Sequence, residues 1–195
     1  MPMMLGQRST IASTAFSTSK WLLVWLVLGA LLGCSPRLNW RTVTPSGAML
    51  EVLLPCKPES AKRAVDWAGP EVALAVTGCK VDGFLFAVSY MDLMDERQVA
   101  PVLTQWQASV RASAGPQATV TSARFVPAGA VDIPLSVRLA LQGMGVDGKP
   151  VHAQAVWFVR KADAARVRVY HALALGPSEG AEAAETMFGS LKLLP

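Results

Sequence analysis

"VHAQAVWFVRKADAARVRVYHALAL", residues 151–175, decides how the rest of the chain is read. Two runs rich in β-branched and aromatic residues, Val151 to Arg160 and Arg166 to Leu175, flank the short polar connector "KADAA". That is the pattern of an antiparallel hairpin. With Arg160 paired near Arg166, His152 faces the region of Ala174 and His171 that of Ala155, so the two histidines stay apart and share no metal. In the second run Val167, Val169, His171 and Leu173 fall on one face. His171 therefore reads as a hydrogen-bonded core histidine, while His152, near Gln154, reads as a surface residue.

Moving toward the N-terminus, Leu135, Val137, Leu139 and Leu141 alternate with Ser136, Arg138 and Ala140, the clearest half-buried strand of the chain. "GMGVDG" (143–148) joins it to the hairpin and matches G-x-G-x-x-G. A dinucleotide loop must open a helix whose N-terminus receives the pyrophosphate. Lys149-Pro150 and a strand-like run follow instead, so the segment reads as a glycine-rich turn and implies no cofactor. Further strands are expected at Thr119 to Val126, Phe84 to Tyr90 after the Asp82-Gly83 turn, and Lys62 to Trp67 with Glu71 to Val76 on either side of "AGP". Two more are expected at Ala48 to Leu54 and, shorter, at Trp40 to Val43.

Two segments have helical period. Val99, Val102, Leu103, Trp106 and Val110 recur at helical spacing, with Asp95 as cap, Pro101 in the first turn and Gly115-Pro116 as stop. After "GPS", Ser178 is the expected N-cap of a second helix with Glu179 and Glu182 in its first turn and a stripe of Ala184, Met187, Phe188 and Leu191. Asp92, Asp95 and Glu96 form the one tight acidic cluster, read as helix capping, with a cation site or an acid/base pair as the alternative. The expectation is a single α+β domain over 47–195, mostly antiparallel sheet with two helices.

The chain has 195 residues and a formal charge of +4. Arg8 and Lys20 precede Cys34 and no acid does, which leaves +2 from Cys34 onward. No Lys/Arg block interleaved with aromatics is present, so nucleic acid is not an expected partner. The apolar run Trp21 to Leu32 has twelve residues, short of the roughly 20 a membrane-spanning helix needs, and fits the apolar segment of a secretory signal with Lys20 as its charged flank. Gly33 is the small residue expected at a cleavage site.

The residues "LLGC", Leu31 to Cys34, resemble the lipobox of bacterial lipoproteins. The resemblance implies a signal peptide over 1–33 that is removed, a diacylated Cys34 and a lipidated tether over 34–46. Acyl chains contribute about 0.8 kcal/mol per buried CH₂, and two or more hold a protein stably on a membrane. Ser35 stands where an acid favours inner-membrane retention, which points to the outer membrane in a Gram-negative source. The alternative is an uncleaved, single-pass signal anchor. Exported cysteines meet an oxidising compartment, so Cys56 and Cys79, each placed just beyond a strand in a Pro- or Gly-marked turn, are expected to pair; two free buried thiols are the alternative. Neither has the partners a metal site needs.

The order of elements, with "AMLEVLLPCKPE" near the start and "AAETMFGSLKLL" at the end, resembles the PsbP/Mog1-like fold, including DcrB-type bacterial lipoproteins. That fold carries assorted binding and accessory roles and implies no chemistry. No G-x-S-x-G elbow occurs and no catalytic residue, cofactor or metal ligand is assigned. Trp106 reads as core; Trp40, near the anchor, reads as core or as a membrane-interface indole. The expected function is that of a lipid-anchored periplasmic lipoprotein, binding an envelope protein or a small ligand and lacking enzymatic activity. The alternatives are an envelope hydrolase using His152 or His171 and a signal-anchored membrane protein.

Overall fold

A computed structural model describes residues 38–67, 71–145, 147–163, 165–177 and 180–195. The signal segment 1–33, Cys34 and Ser178 lie outside the described residues.

The strands are β1 (Arg41–Val43), β2 (Leu50–Leu54), β3 (Glu59–Val65), β4 (Val72–Val81), β5 (Phe84–Leu93), β6 (Thr119–Arg124), β7 (Val137–Met144), β8 (Pro150–Lys161), β9 (Val167–Gly176) and β10 (Lys192–Leu193). The helices are α1 (Val99–Ser113) and α2 (Ala181–Gly189), with a 3₁₀ turn at Glu96–Gln98. Seven strands form one sheet in the order β3-β4-β5-β9-β8-β7-β6, and β1-β2-β10 form a second of three. Every strand pairing is antiparallel. The fold is α+β, as the periodicities predict.

Both faces of the large sheet are covered. On one, Val102, Leu103 and Trp106 of α1 pack on Met91, Leu139, Trp157 and Val169. On the other, β2 and α2 bring Leu50, Leu54, Met187 and Phe188 against Phe86, Val156, Phe158 and Tyr170. A sheet sandwiched in this way must be apolar on both sides in its centre. The first six residues of β9, Val167 to Ala172, are all buried. Alternation thus survives on β7, away from the centre, and fades on β9.

Four expectations are corrected in detail. Arg160 pairs with Arg168, not Arg166, which moves the hairpin by two residues and sets His152 opposite Gly176 and His171 opposite Trp157. Cys79 lies inside β4, which continues through Gly78 because β5 approaches there: a Cβ on Gly78 would stand 2.5 Å from the Phe86 carbonyl oxygen. Leu135 precedes β7, and its carbonyl accepts from Gln107 Nε2 at 3.1 Å. The N-cap position of α2 is Gly180, with no side-chain cap, and Leu191 packs just past the helix end. Asp95 does cap the first helical segment, accepting from the Arg97 amide at 2.9 Å.

The acidic cluster disperses on folding. Asp95 pairs with Arg97 at 2.8 Å and Glu96 with Lys161 at 3.0 Å, both exposed. Asp92 is not a cap: it takes a two-pronged bond from Arg168 at 2.6 and 2.7 Å. Arg168 also donates to the Gly47 carbonyl and lies 4.8 Å over the Tyr90 ring. The hydroxyls of Tyr90 and Tyr170 donate to the Ser46 and Ala48 carbonyls at 2.7 Å each. Three side chains of the large sheet thus hold three successive carbonyls of the β1–β2 loop, where Gly47 and Met49 have φ of +74° and +52°. Replacing Arg168 by Gln removes a charged donor from a nearly buried site and is expected to cost about 2 kcal/mol of unfolding free energy, measurable by urea titration.

Candidate functional site

The start of α2 stands over the large sheet with little filling beneath it. Phe84 opens β5 and packs its ring against backbone, because a Cβ at Gly176 or Gly180 would lie 2.2 or 2.6 Å from that ring. On the inner side of Phe84 a hollow of ≈ 190 Å³ runs between α2 and strands β7, β8 and β9. Small side chains at Ala140, Ala174, Ala181 and Ala184 leave it open, and Gln142, His152 and Gln154 supply its polar wall. On the outer side a larger hollow of ≈ 690 Å³ is walled by Trp40, Phe84 and Phe86, with Asp82 and Glu182 among its lining.

The aromatic wall is braced. Trp40 meets Phe86 edge-on, with centroids 6.4 Å apart and planes at 67°, and Phe84 stacks on Phe86 at 6.1 Å. Phe86 is buried to 1% exposure, whereas Trp40 and Phe84 are half-buried. Trp40 thus belongs to the domain's own packing. Its neighbour Asn39 donates its amide to the Pro55 carbonyl at 2.8 Å, next to Cys56. Cys56 and Cys79 are bonded, with Cα atoms 5.9 Å apart, and Cys79 lies opposite Phe86 in the β4–β5 register. The bridge therefore ties the segment carrying Trp40 to the strand pair carrying Phe86. The expected pairing of these two cysteines is the one found.

On the inner wall Arg138 donates to Gln154 Oε1 and to Glu185 at 2.5 Å, and covers the Phe188 ring at 5.2 Å. Arg138's hydrogen bond holds the Glu185 carboxyl below the usual carboxylate range. His152 has a buried Nδ1 with no hydrogen-bond partner among the described residues. His152 is thus half-buried in a hollow, not simply on the surface.

His171 lies on the opposite face of the sheet. Its ring is held between Trp106 and Trp157, with centroids 4.8 Å from each. Contrary to the expectation of a bonded core histidine, its Nε2 has no partner among the described residues, and neither has Trp157 Nε1. Burial alone pushes the His171 pKa down to about 3, so the ring is neutral at any ordinary pH. Two histidines on opposite faces cannot share a ligand, and among the described residues no three His, Cys, Asp or Glu side chains converge as a metal site.

"GMGVDG" connects β7 to β8, with Met144 pairing Pro150 across the turn, and opens no helix. The hollows themselves escaped the sequence reading. Their signal was present in "ALGPSEGAEAA", a run of glycine and alanine where a helix docks on a sheet, since small residues there leave space under the helix. Comparison with protein-family models, curated proteins and solved structures returns no match.

Proposed function

We propose that the protein is a lipid-anchored lipoprotein of the cell envelope, held through Cys34 to the outer membrane on its periplasmic side, and that its domain works by binding. The hollow at the start of α2 is its contact surface. The observation that carries the binding reading is the ≈ 690 Å³ aromatic-walled hollow, since ligand sites are concave, largely apolar and of roughly 300–1,000 Å³. The "LLGC" motif supports the anchor, and the Cys56–Cys79 bond supports an oxidising compartment. The described lining around His152 holds no hydroxyl, thiol or carboxylate to act as nucleophile or partner base, which favours binding over hydrolysis there. His171, enclosed between two indoles, has no access to a substrate.

Intact mass of the protein extracted from membranes tests the anchor. The expected mass is that of a chain beginning at Cys34 plus acyl groups, lost in Cys34→Ala. A full-length, unmodified mass overturns it in favour of an uncleaved signal anchor. A photo-crosslinking residue in place of Thr186, which lines the outer hollow, tests the binding surface: crosslinks to an envelope component are expected there and not from a residue placed on β6, remote in the sheet order.

A further inference from the structure

We propose that two copies of the protein join through the outer edge of β3, antiparallel about a two-fold axis at Ala61, so that the large sheet runs on from one copy into the other. The observation that carries it is the order of charges on that edge, where Glu59 and Arg63 stand symmetrically about Ala61.

β3 ends the large sheet and, among the described residues, pairs only with β4. Its other side therefore presents a row of unpaired N–H and C=O groups, a template for another strand. The side chains from Glu59 to Ala64 are all exposed, and no proline interrupts the strand. Among the described residues Glu59, Lys62 and Arg63 have no ion-pair partner. The opposite edge differs. The one charge on β6, Arg124, is held by Asp132, so that edge has no charge order that pairs with itself.

Symmetry and the pleat then restrict the register. Val65 packs in the α1 core, so Glu59, Ala61 and Arg63, at alternate positions, share the α1 face of the strand. Ser60 and Lys62 share the other face. A two-fold axis perpendicular to the sheet keeps each face on its own side, so the axis must pass through a residue and not between two. An axis at Lys62 sets two ammonium groups directly opposite, and one at Arg63 sets two guanidinium groups opposite; both are unfavourable. An axis at Ser60 sets Glu59 against Ala61 and makes no ion pair. An axis at Ala61 sets Glu59 of each copy against Arg63 of the other, twice, with Lys62 against Ser60. That register alone turns the edge charges into attraction.

The paired stretch, Glu59 to Arg63, is short. Two such strands bury far less than the roughly 1,200 Å² of a stable complex, so the dimer is weak, with a dissociation constant on the order of 100 µM. Trp40 and Val43 lie in the core on the β2 side of the sheet, and the axis keeps that side of both copies together. On the reading of Cys34 as an anchor, both chains then reach one membrane, where confinement raises their effective concentration. The dimer itself does not depend on that anchor.

The test is analytical ultracentrifugation of the full chain in neutral detergent, with micelles in large excess over protein. The wild type is expected to pass from monomer toward dimer between about 10 and 500 µM. Glu59→Arg and Arg63→Glu each set like charges opposite one another at both contacts, and each is expected to weaken the dimer about tenfold. Both positions are exposed, so circular dichroism should report an unchanged fold. An equimolar mixture of the two variants is expected to recover the dimer, because one chain then carries only positive charge at the contacts and the other only negative. Ala61→Cys, on the axis, is expected to link to itself through a short bis-maleimide far more than Thr121→Cys on β6.

A monomer throughout that range overturns the proposal. A dimer indifferent to both substitutions overturns it in favour of another surface. Weakening without recovery in the mixture, or an Ala61→Cys link no stronger than that of Thr121→Cys, overturns the register and the proposal with it. None of these results bears on the hollow or the anchor, which the Thr186 crosslinks and the intact mass test separately.

Discussion

Loss of the Cys56–Cys79 bond is expected to lower the unfolding free energy by about 3 kcal/mol. The bond spans 23 residues, and in the chain-entropy picture its effect lies in the unfolded state, whose loop it closes; a loop of that length gives a value of this order. For a domain of this size the melting temperature should fall by roughly 6–12 °C. Circular dichroism melts of the wild type with and without reductant, and of Cys56→Ala/Cys79→Ala, measure it. A second consequence follows from position. Cys79 is 7% exposed and packed with Phe86 in the same core cluster as Trp40. The reduced protein should therefore lose Trp40–Phe86 contact before it loses the large sheet, so tryptophan fluorescence should shift at a lower temperature than ellipticity. Equal melting with and without reductant would contradict the entropic argument, and coincident fluorescence and ellipticity transitions the positional one.

The elements were legible because their signals are local. Leu139 and Leu141 alternate toward one core, Val99 to Val110 repeat at helical spacing, and Asp82-Gly83 sits at a turn where both residues have positive φ, +50° and +81°. Register was less legible. "KADAA" can close a hairpin at more than one residue pair, and the choice is made by Asp163, whose carboxylate accepts from the Ala165 and Arg166 amides at 2.9 Å each. Those bonds close the loop over 162–166, one position further along the chain at the same length, and set Arg160 opposite Arg168. A slip of two residues preserves which face each side chain occupies, so the split of β9 into two faces was right while every opposite partner was displaced.

Asp92 shows why local signals failed at the acidic cluster. Its neighbours Asp95 and Glu96 have sequence-near or surface partners, but Asp92 meets Arg168 across a separation of 76 residues, between adjacent strands β5 and β9. No spacing rule reaches that far. The hollow was hidden for a related reason: it is bounded by Trp40, Phe84 and Glu182, three residues distant in sequence that the docking of α2 brings together. Only the run of small residues at 174–184 carried a trace of it.

Acid is expected to destabilise the protein steeply, with His171 as the largest single contributor. The imidazole is neutral in the folded state down to about pH 3, because the indoles of Trp106 and Trp157 replace its water. In the unfolded chain it titrates at its ordinary value of 6.5. Above pH 6.5 neither state binds the proton and the stability is undiminished. Between 6.5 and about 3 only the unfolded chain binds it, so stability falls with pH by about 1.4 kcal/mol per unit. By pH 3 the loss is on the order of 5 kcal/mol, a large share of the roughly 5–15 kcal/mol that holds a domain together. Exposed carboxylates with depressed pKa values, Asp95 and Asp163, lose stability in the same direction over a lower pH range, but screening keeps such contributions small. His171→Phe separates the two. It keeps a ring between the indoles, removes the proton site and also removes the unpartnered Nε2. Its unfolding free energy from urea titration should equal or exceed that of the wild type at pH 7.5 and should fall far less between pH 6.5 and 4. Parallel pH curves for the two proteins would mean that His171 takes up its proton in the folded state, and would sink the argument that the indoles keep it neutral.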